Sequence, residues 1–190
     1  MHTIEPYYNW RDYYIASDDD KSPFFGVQYN EFQFHKKIYN YFIHPQWDDI
    51  SSNTLYVKVL FIDYINGSAI IELIGEWNDA INNDIMLLKR NLIDSMIEQN
   101  IYRFVLVGEN ILNFHGEDYD YYAEWAEDVS DDLGWMVCLN LREHVVEEMK
   151  SVNIHHYMAI GKSINLSDWR TMKPHHLIQQ VEGMIIKKLI

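Results

Sequence analysis

The residues of this chain with the greatest potential for chemistry lie in one stretch, RFVLVGENILNFHGEDYDYY, which runs from Arg103 to Tyr122. Within it, His115 is followed at short spacing by Asp118 and Asp120, and imidazole and carboxylate groups bind divalent cations or form acid–base pairs. These three residues are the candidate centre of a metal-assisted or acid–base hydrolase. Their spacing matches no closed ligand set such as an EF-hand loop or an HExxH helix.

A binding role is the second possibility for the same stretch. The short apolar run at 103–107 is typical of a central strand that is covered on both faces. Loops at the carboxyl ends of parallel strands are where ligands bind in α/β sheets. The segment after this strand therefore holds the candidate ligand- or partner-binding residues Asn110, Asn113, His115 and Gly116.

The acids that follow His115 also have a purely structural interpretation, and the sequence favours it. Eight acids and no basic residue lie between 117 and 132. On a helix, one face carries acids and the opposite face carries large apolar side chains, which is the pattern of an ordinary amphipathic surface helix. The acidic face comprises Asp120, Glu124, Glu127 and Asp131, and the apolar face comprises Tyr121, Tyr122, Trp125 and Val129.

Other motifs give weaker indications. Residues 161–163 read Gly-Lys-Ser after an apolar run, but a phosphate-binding loop needs a glycine where His156 stands. The adjacent histidines at 155–156 would point to opposite faces of a strand and so would not chelate one ion. The single cysteine, Cys138, lies within an apolar run and is interpreted as a core residue. No metal or other cofactor is expected.

Composition and charge narrow the classes of function. The chain has 190 residues, with 15 basic and 29 acidic side chains and a net charge of −14. Such an acidic surface repels phosphate backbones, so no nucleic-acid partner is expected. No apolar run approaches the roughly 20 residues that span a bilayer, and the N-terminal stretch lacks the pattern of a secretory signal. We therefore expect a soluble cytoplasmic protein without membrane insertion.

The elements that must position these residues alternate along the chain. Two β-branched runs at 55–64 and 68–77 flank Asn66-Gly67, a strong hairpin signal. The order predicted from there is ββαβαβαβα, an α/β fold with a mixed sheet and covering helices. The remaining predicted elements are strands at 103–107, 135–141 and 155–160 and helices at 79–99, 118–130, 142–150 and 168–188.

The first 50 residues differ from the rest in composition. They hold 14 of the 28 aromatic residues and follow neither the helical nor the strand period. We interpret 1–50 as an aromatic-rich extension and 51–190 as the α/β domain. The extension either covers an exposed edge of its own sheet or reaches across a two-fold axis, and the sequence slightly favours a homodimer.

One protein family resembles this pattern. Residues 55–190 resemble the STAS domain of bacterial anti-sigma-factor antagonists and of sulphate-transporter tails in three features. These are the order of strands and helices, the glycine near the end of the second strand in IELIGEWNDA, and the strand RFVLV. The resemblance implies a regulatory protein that contacts other proteins. In those antagonists a phosphorylated serine follows an aspartate after the third strand, but His115-Gly116 stands there, and no serine or threonine lies between Arg103 and Val129. The phosphorylation switch is therefore expected to be missing.

The sequence thus favours a non-enzymatic regulatory or binding protein that acts through protein–protein contacts. Two alternatives stay open. One is a small-molecule or lipid carrier with an apolar pocket beneath the final helix, and the other is the hydrolase centred on His115.

Overall fold

The computed structural model of the chain describes residues 4–117 and 119–189. Its centre is a five-stranded sheet in the order β3-β4-β5-β6-β7, and a separate two-stranded ladder, β1-β2, lies within the N-terminal extension. The strands are β1 (Lys37–Ile38), β2 (Tyr41–Phe42), β3 (Asp48–Asp49), β4 (Leu55–Asp63), β5 (Ser68–Asn78), β6 (Arg103–His115) and β7 (Trp135–Leu139).

The predicted hairpin and the mixed sheet are confirmed. β4 and β5 pair antiparallel, and β5, β6 and β7 pair parallel through helical crossovers. Gly67 adopts a φ of +63° in the hairpin turn, and a Cβ there would lie only 2.6 Å from the carbonyl oxygen of Asn100. This position therefore requires glycine for two independent reasons.

Strand β6 is much longer than the predicted 103–107. It continues to His115 because β5 also continues to Asn78, and the two strands stay paired through two register shifts. The shifts break the alternation of inward and outward residues, so Ile111 and Phe114 are buried although the intervening sequence is polar. The prediction of a loop after Val107 is wrong.

The helices follow the predicted periodicity with local interruptions. The predicted helix 79–99 is divided at Asn83, which has a φ of +52°, and it contains one π-helical turn. No helix of the described residues is long and apolar enough to cross a membrane. The helices are α1 (Asp79–Asn82), α2 (Asp84–Leu88), the π-helical turn Lys89–Ile93, α3 (Asp94–Ile97), α4 (Asp120–Ser130), α5 (Glu143–Ser151) and α6 (Pro174–Leu189).

Two predictions near the C-terminus need correction. The expected strand 155–160 is instead a 3₁₀ turn, Ile154–His156, followed by one isolated bridge between Ala159 and Val137. The expected helix 168–188 begins only at Pro174, after a separate 3₁₀ turn at Trp169–Thr171. The fifth strand of the sheet is therefore not at 155–160 but is β3, which comes from the extension.

The sheet has two differently covered faces. We call the face packed against α2 to α5 and against Ala16, Phe24 and Ile50 the helical face. The face packed against α6, the preceding 3₁₀ turns and other residues of the extension is the terminal face. Trp77 and Trp125 are fully buried on the helical side, and Trp47 and Trp169 are fully buried on the terminal side. The extension thus packs on the sheet of its own chain, while the division at residue 50 remains a prediction.

Candidate functional site

His115 lies at the carboxyl end of β6, beside Asn78 at the end of β5. Its side chain is 48% exposed, and its Nδ1 is 3.8 Å from Oε1 of Glu148 on α5. The next residue, Gly116, packs closely against Phe114 and Val152, where a Cβ would meet their side chains within 2.7 Å. The histidine is therefore at the expected edge of the sheet, but on the strand instead of in a loop.

The other predicted binding residues point elsewhere. Asn110 and Asn113 lie within β6, and their side-chain amides donate to Oε1 of Glu72 at 3.4 Å and to Oε1 of Glu76 at 3.3 Å. These hydrogen bonds run along the terminal face, between neighbouring strands. The four predicted binding residues therefore do not form one site, and only His115 and Gly116 lie at the carboxyl edge.

The predicted hydrolase centre can be placed only in part. Asp118 lies outside the described residues, and Asp120 is the exposed first residue of α4. Among residues 4–117 and 119–189, no group of three or more histidine, cysteine, aspartate or glutamate side chains has the arrangement needed to hold a metal ion. The described residues therefore supply no further side chain that would complete a metal site with His115.

A buried acid that the sequence analysis missed lies at the same edge. Asp79 accepts hydrogen bonds from the Tyr122 hydroxyl at 2.7 Å, the Trp77 indole at 3.0 Å and the Ile85 amide at 2.8 Å. Burial raises the pKa of Asp79 to about 7, although these hydrogen bonds act in the opposite direction. Its oxygens already accept from structural donors, so this carboxyl group links β5, α2 and α4 instead of activating a substrate.

A second buried acid extends this bracket. Asp84 accepts from the Ser52 hydroxyl at 2.6 Å, the Thr54 hydroxyl at 3.0 Å and the Asn78 amide at 2.8 Å. The Asn78 side chain in turn accepts from the Ile81 amide at 3.0 Å and so caps the N-terminus of α1. The end of β5 is thereby held rigidly, and the short helix α1 projects from it.

This rigid support presents an open cleft of about 370 Å³ between α1 and the start of α4. Ile81 stands on its rim with 83% of its surface exposed. Glu117, Asp120 and Tyr121 line the other side. Nearby, Tyr119 is 42% exposed and stacks on Tyr157 with 5.6 Å between ring centroids. The edge therefore combines exposed apolar side chains with acids.

Part of the acidic face of α4 does not point to solvent as predicted. Lys89, which is 1% exposed, places Nζ 2.6 Å from Asp128, 2.7 Å from Asp94 and 3.0 Å from Glu124. The neighbouring Arg90 pairs with two of the same acids, Asp94 and Glu124. Asp128 and Glu124 therefore attach α4 to the π-helical turn.

The terminal face carries a second set of buried charges. Glu72 is completely buried on β5, accepts from the Tyr7 amide at 2.8 Å, and lies 3.5 Å from the Arg170 guanidinium. Burial raises the pKa of Glu72 to about 7. Arg170 also pairs with Glu109 of β6. On the adjacent strand β4, Lys58 stands directly opposite Glu72 and pairs with Asp48 at 3.0 Å.

The predicted role of Cys138 as a core residue is confirmed. Its side chain is fully buried on the helical face, and burial raises the pKa of its thiol far above the ordinary value. A thiol that is neutral and inaccessible does not act as a nucleophile.

Comparison with known proteins shows similarity of fold only. No protein-family model and no curated protein matches the chain. The anti-sigma factor antagonist SpoIIAA in its unphosphorylated form is 12% identical, with a TM-score of 0.48 over 67% of this chain and 96% of that one. A Thermotoga maritima protein described as an anti-sigma factor antagonist is 13% identical, with a TM-score of 0.45 over 66% and 93%. Phosphorylated SpoIIAA from Bacillus is 12% identical, with a TM-score of 0.43 over 66% and 98%.

These three structures have the STAS-type fold that the sequence resembles, and the α/β class with a mixed sheet is the same. At such identities and TM-scores the likeness extends no further than the fold. The comparison therefore says nothing about the chemistry or the partners of this chain.

Proposed function

We propose that this chain is a non-enzymatic, cytoplasmic regulatory or binding protein that contacts a protein partner through the edge formed by α1, the end of β6 and the start of α4. The observation that carries the proposal is the exposure of Ile81, 83%, on a rim that Asp79 and Asp84 hold in place. Because hydrogen bonds already fix the backbone at Ile81, covering its side chain costs little additional backbone entropy.

The charges around Ile81 define the kind of partner. Glu117 and Asp120 line the cleft beside it, and the whole chain carries −14. A protein surface with an apolar residue surrounded by lysines or arginines would complement this edge in shape and charge. The same excess of acids opposes a nucleic-acid partner, because a phosphate backbone would be repelled.

The test is quantitative affinity capture from the native cell with the wild type, Ile81→Glu and Ile65→Glu. Ile65 is the matched control because it is 95% exposed in the hairpin turn between β4 and β5, at the opposite end of these strands. We expect a partner that the wild type and Ile65→Glu retain equally and that Ile81→Glu retains at least about tenfold less, since a charge would enter an apolar contact. Equal retention of every captured protein by the two variants would exclude this edge as the contact.

A carrier function is the second candidate, and one cavity favours it. A space of about 350 Å³ lies beside the edge strand β7, and its lining includes Trp135 and Met136 of that strand, Val129 of α4, Met158 and Ile185 of α6. This volume is at the lower end of small-molecule sites. Native mass spectrometry of the gently purified protein would show a bound small molecule if the carrier function holds, and only the 22.8 kDa chain if it does not.

A homodimer through the N-terminal aromatic residues also remains a proposal. Phe25, Phe32 and Tyr39 of the extension are exposed, although much of the extension covers its own sheet. A stable dimer needs about 1,200–2,000 Å² of total buried surface. The exposed aromatic side chains come near this area only if they pack together in a single interface. Sedimentation at high micromolar concentration distinguishes a dimer from a 22.8 kDa monomer.

A further inference from the structure

The N-terminal extension encloses a cavity of about 270 Å³ against strand β4 on the terminal face. The rings of Tyr7, Trp10 and Tyr14 form part of its wall, and Leu60 of β4 forms part of its apolar lining. Typical small-molecule sites occupy about 300–1,000 Å³, so an occupant of this cavity must be small. It lies away from the α1 and α4 cleft and is independent of the proposed partner contact.

The tyrosines that surround this cavity offer ring faces and not free hydroxyl groups. The Tyr7 hydroxyl donates to the carbonyl oxygen of Arg170, and the Tyr14 hydroxyl donates to Asp19 at 2.8 Å. The Tyr29 hydroxyl donates to Asp48. With these donors engaged, the aromatic wall favours a flat apolar group.

The charged side chains of the lining are two cations, Arg11 and Lys58, and one acid, Asp18. Lys58 is largely buried, with Nζ 3.0 Å from Oδ2 of Asp48 and 3.7 Å from the centre of the Tyr29 ring. Arg11 donates to Oε1 of Gln46 at 3.4 Å and makes no ion pair with any described residue.

Arg11 and Lys58 both line this cavity. Burial lowers the pKa of Lys58, Asp48 opposes that shift, and the positive charges of Arg11 and Lys36 lower the pKa further. Asp18 also lines the cavity, but it forms no ion pair with Arg11 or Lys58 in the described chain.

We propose that this cavity binds a small organic anion with a flat apolar body, such as an aromatic carboxylate. The anionic group would face Arg11 and Lys58, and the ring would pack against Trp10 and Tyr14. A carboxylate that accepts from a guanidinium and an ammonium forms charge-assisted hydrogen bonds, which are stronger than those between neutral groups. The aromatic wall then distinguishes such a ligand from inorganic anions.

The test is a titration of the full-length, ¹⁵N-labelled protein with phenylacetate, followed through the indole N–H signals. The Trp10 indole at the cavity donates to the carbonyl oxygen of Met172 at 2.9 Å, whereas the Trp125 indole lies on the opposite face of the sheet and serves as the internal control. We expect saturable shifts of the Trp10 signal with a Kd of about 1 mM or lower, and no shift of the Trp125 signal.

Two controls isolate the charge contact. Phenylacetamide has nearly the same shape without the charge, and we expect it to bind at least about tenfold more weakly. Arg11→Gln changes an exposed side chain and should weaken phenylacetate binding at least about fivefold, whereas Arg142→Gln, also at an exposed position, should not. The proposal is overturned if Trp10 shows no saturable shift up to about 10 mM, or if the amide or the Arg11→Gln variant binds as the acid binds the wild type.

Discussion

The two faces of the central sheet bury comparable aromatic side chains in different ways. On the helical face the strand residues are apolar throughout, as Ile71, Leu73 and Leu106 illustrate. On the terminal face charged residues interrupt the apolar ones, so that Lys58 and Glu72 lie side by side on neighbouring strands. The first face needs only a complementary apolar cover, whereas the second needs specific polar partners.

Those partners come from both ends of the chain. The Tyr7 amide and the Arg170 side chain both reach Glu72, and Asp48 of the extension pairs with Lys58. A buried charge that lacks its partner costs more than the pair gains, so each contact fixes where the terminal segments dock. The extension and the C-terminal segment are therefore structural parts of the fold, because they supply the partners of its buried charges.

Removing one buried tryptophan on each side of the sheet should have the largest effect, and it tests whether the N-terminal extension stabilises the fold as much as the helices do. Trp47 and Trp125 are both fully buried, on opposite sides of the sheet. Trp47→Ala and Trp125→Ala should each lower the free energy of unfolding by about 3–5 kcal/mol, because each leaves a large cavity. Urea unfolding followed by far-UV circular dichroism measures both. A loss below about 1 kcal/mol for Trp47→Ala alone would show that the extension is only loosely attached.

The next effect concerns the buried charge within the helical layer. Lys89→Met should lower the free energy of unfolding by about 2–4 kcal/mol, because the acids Asp94, Glu124 and Asp128 would then lose their common cation. The matched control is Arg90→Met, which removes an exposed cation that pairs with two of the same acids and should cost less than about 1 kcal/mol. Equal losses of unfolding free energy for the two variants would show that the burial of Lys89 does not increase its contribution.

The terminal face should respond to pH through Glu72. Its pKa is about 7 in the folded chain and near 4.5 when unfolded, so between these values the folded state holds a proton that the unfolded state releases. The contribution of Glu72 to stability therefore falls as pH rises through this window, by roughly 3 kcal/mol in total.

Glu72→Gln removes this titration. Relative to the wild type, the variant should gain stability from pH 5 to pH 8, up to roughly 3 kcal/mol, as urea unfolding at several pH values would show. Glu98→Gln, at an exposed position, controls for the change in net charge. A stability difference that is independent of pH would mean that Glu72 is already ionised at pH 5.

The regular parts of the helical layer were predictable, and the reasons are local. The hairpin carries Asn66-Gly67, and the helix that begins near Asp79 repeats its apolar residues with a helical period. β6 was predicted too short because two register shifts disturb the period of two. Residues 155–160 resemble a strand because Met158 and Ile160 alternate with smaller or polar residues, yet both are buried in a segment that forms only one isolated bridge, at Ala159.

The sites were less predictable because their contacts join distant parts of the sequence. Lys58 and Glu72 stand out as charges within the apolar runs YVKVL and IIELI, a signal that the sequence analysis did not use. Their meaning depends on partners such as Arg170, which is 98 residues from Glu72. The structure places His115 at the carboxyl end of a parallel strand, as topology predicts, and its role as a binding residue stays a prediction.

The smallest expected effect is at His115, the residue that the sequence makes most conspicuous. Its side chain is about half exposed, and among the described residues it forms an ion pair with the half-exposed Glu148, at 3.8 Å. Such a pair contributes little, so His115→Ala should change the free energy of unfolding by less than about 0.5 kcal/mol. Glu148→Gln should change it as little, because it removes the other half of the same weak contact. Thermal denaturation with and without divalent cations measures both effects.

A metal-dependent stabilisation that His115→Ala abolishes and Glu148→Gln preserves would instead support the hydrolase hypothesis, since a ligand at 100 times its Kd stabilises a fold by about 2.7 kcal/mol. No such difference is expected, because Asp79 and Asp84, and not the histidine, hold the proposed contact edge in place.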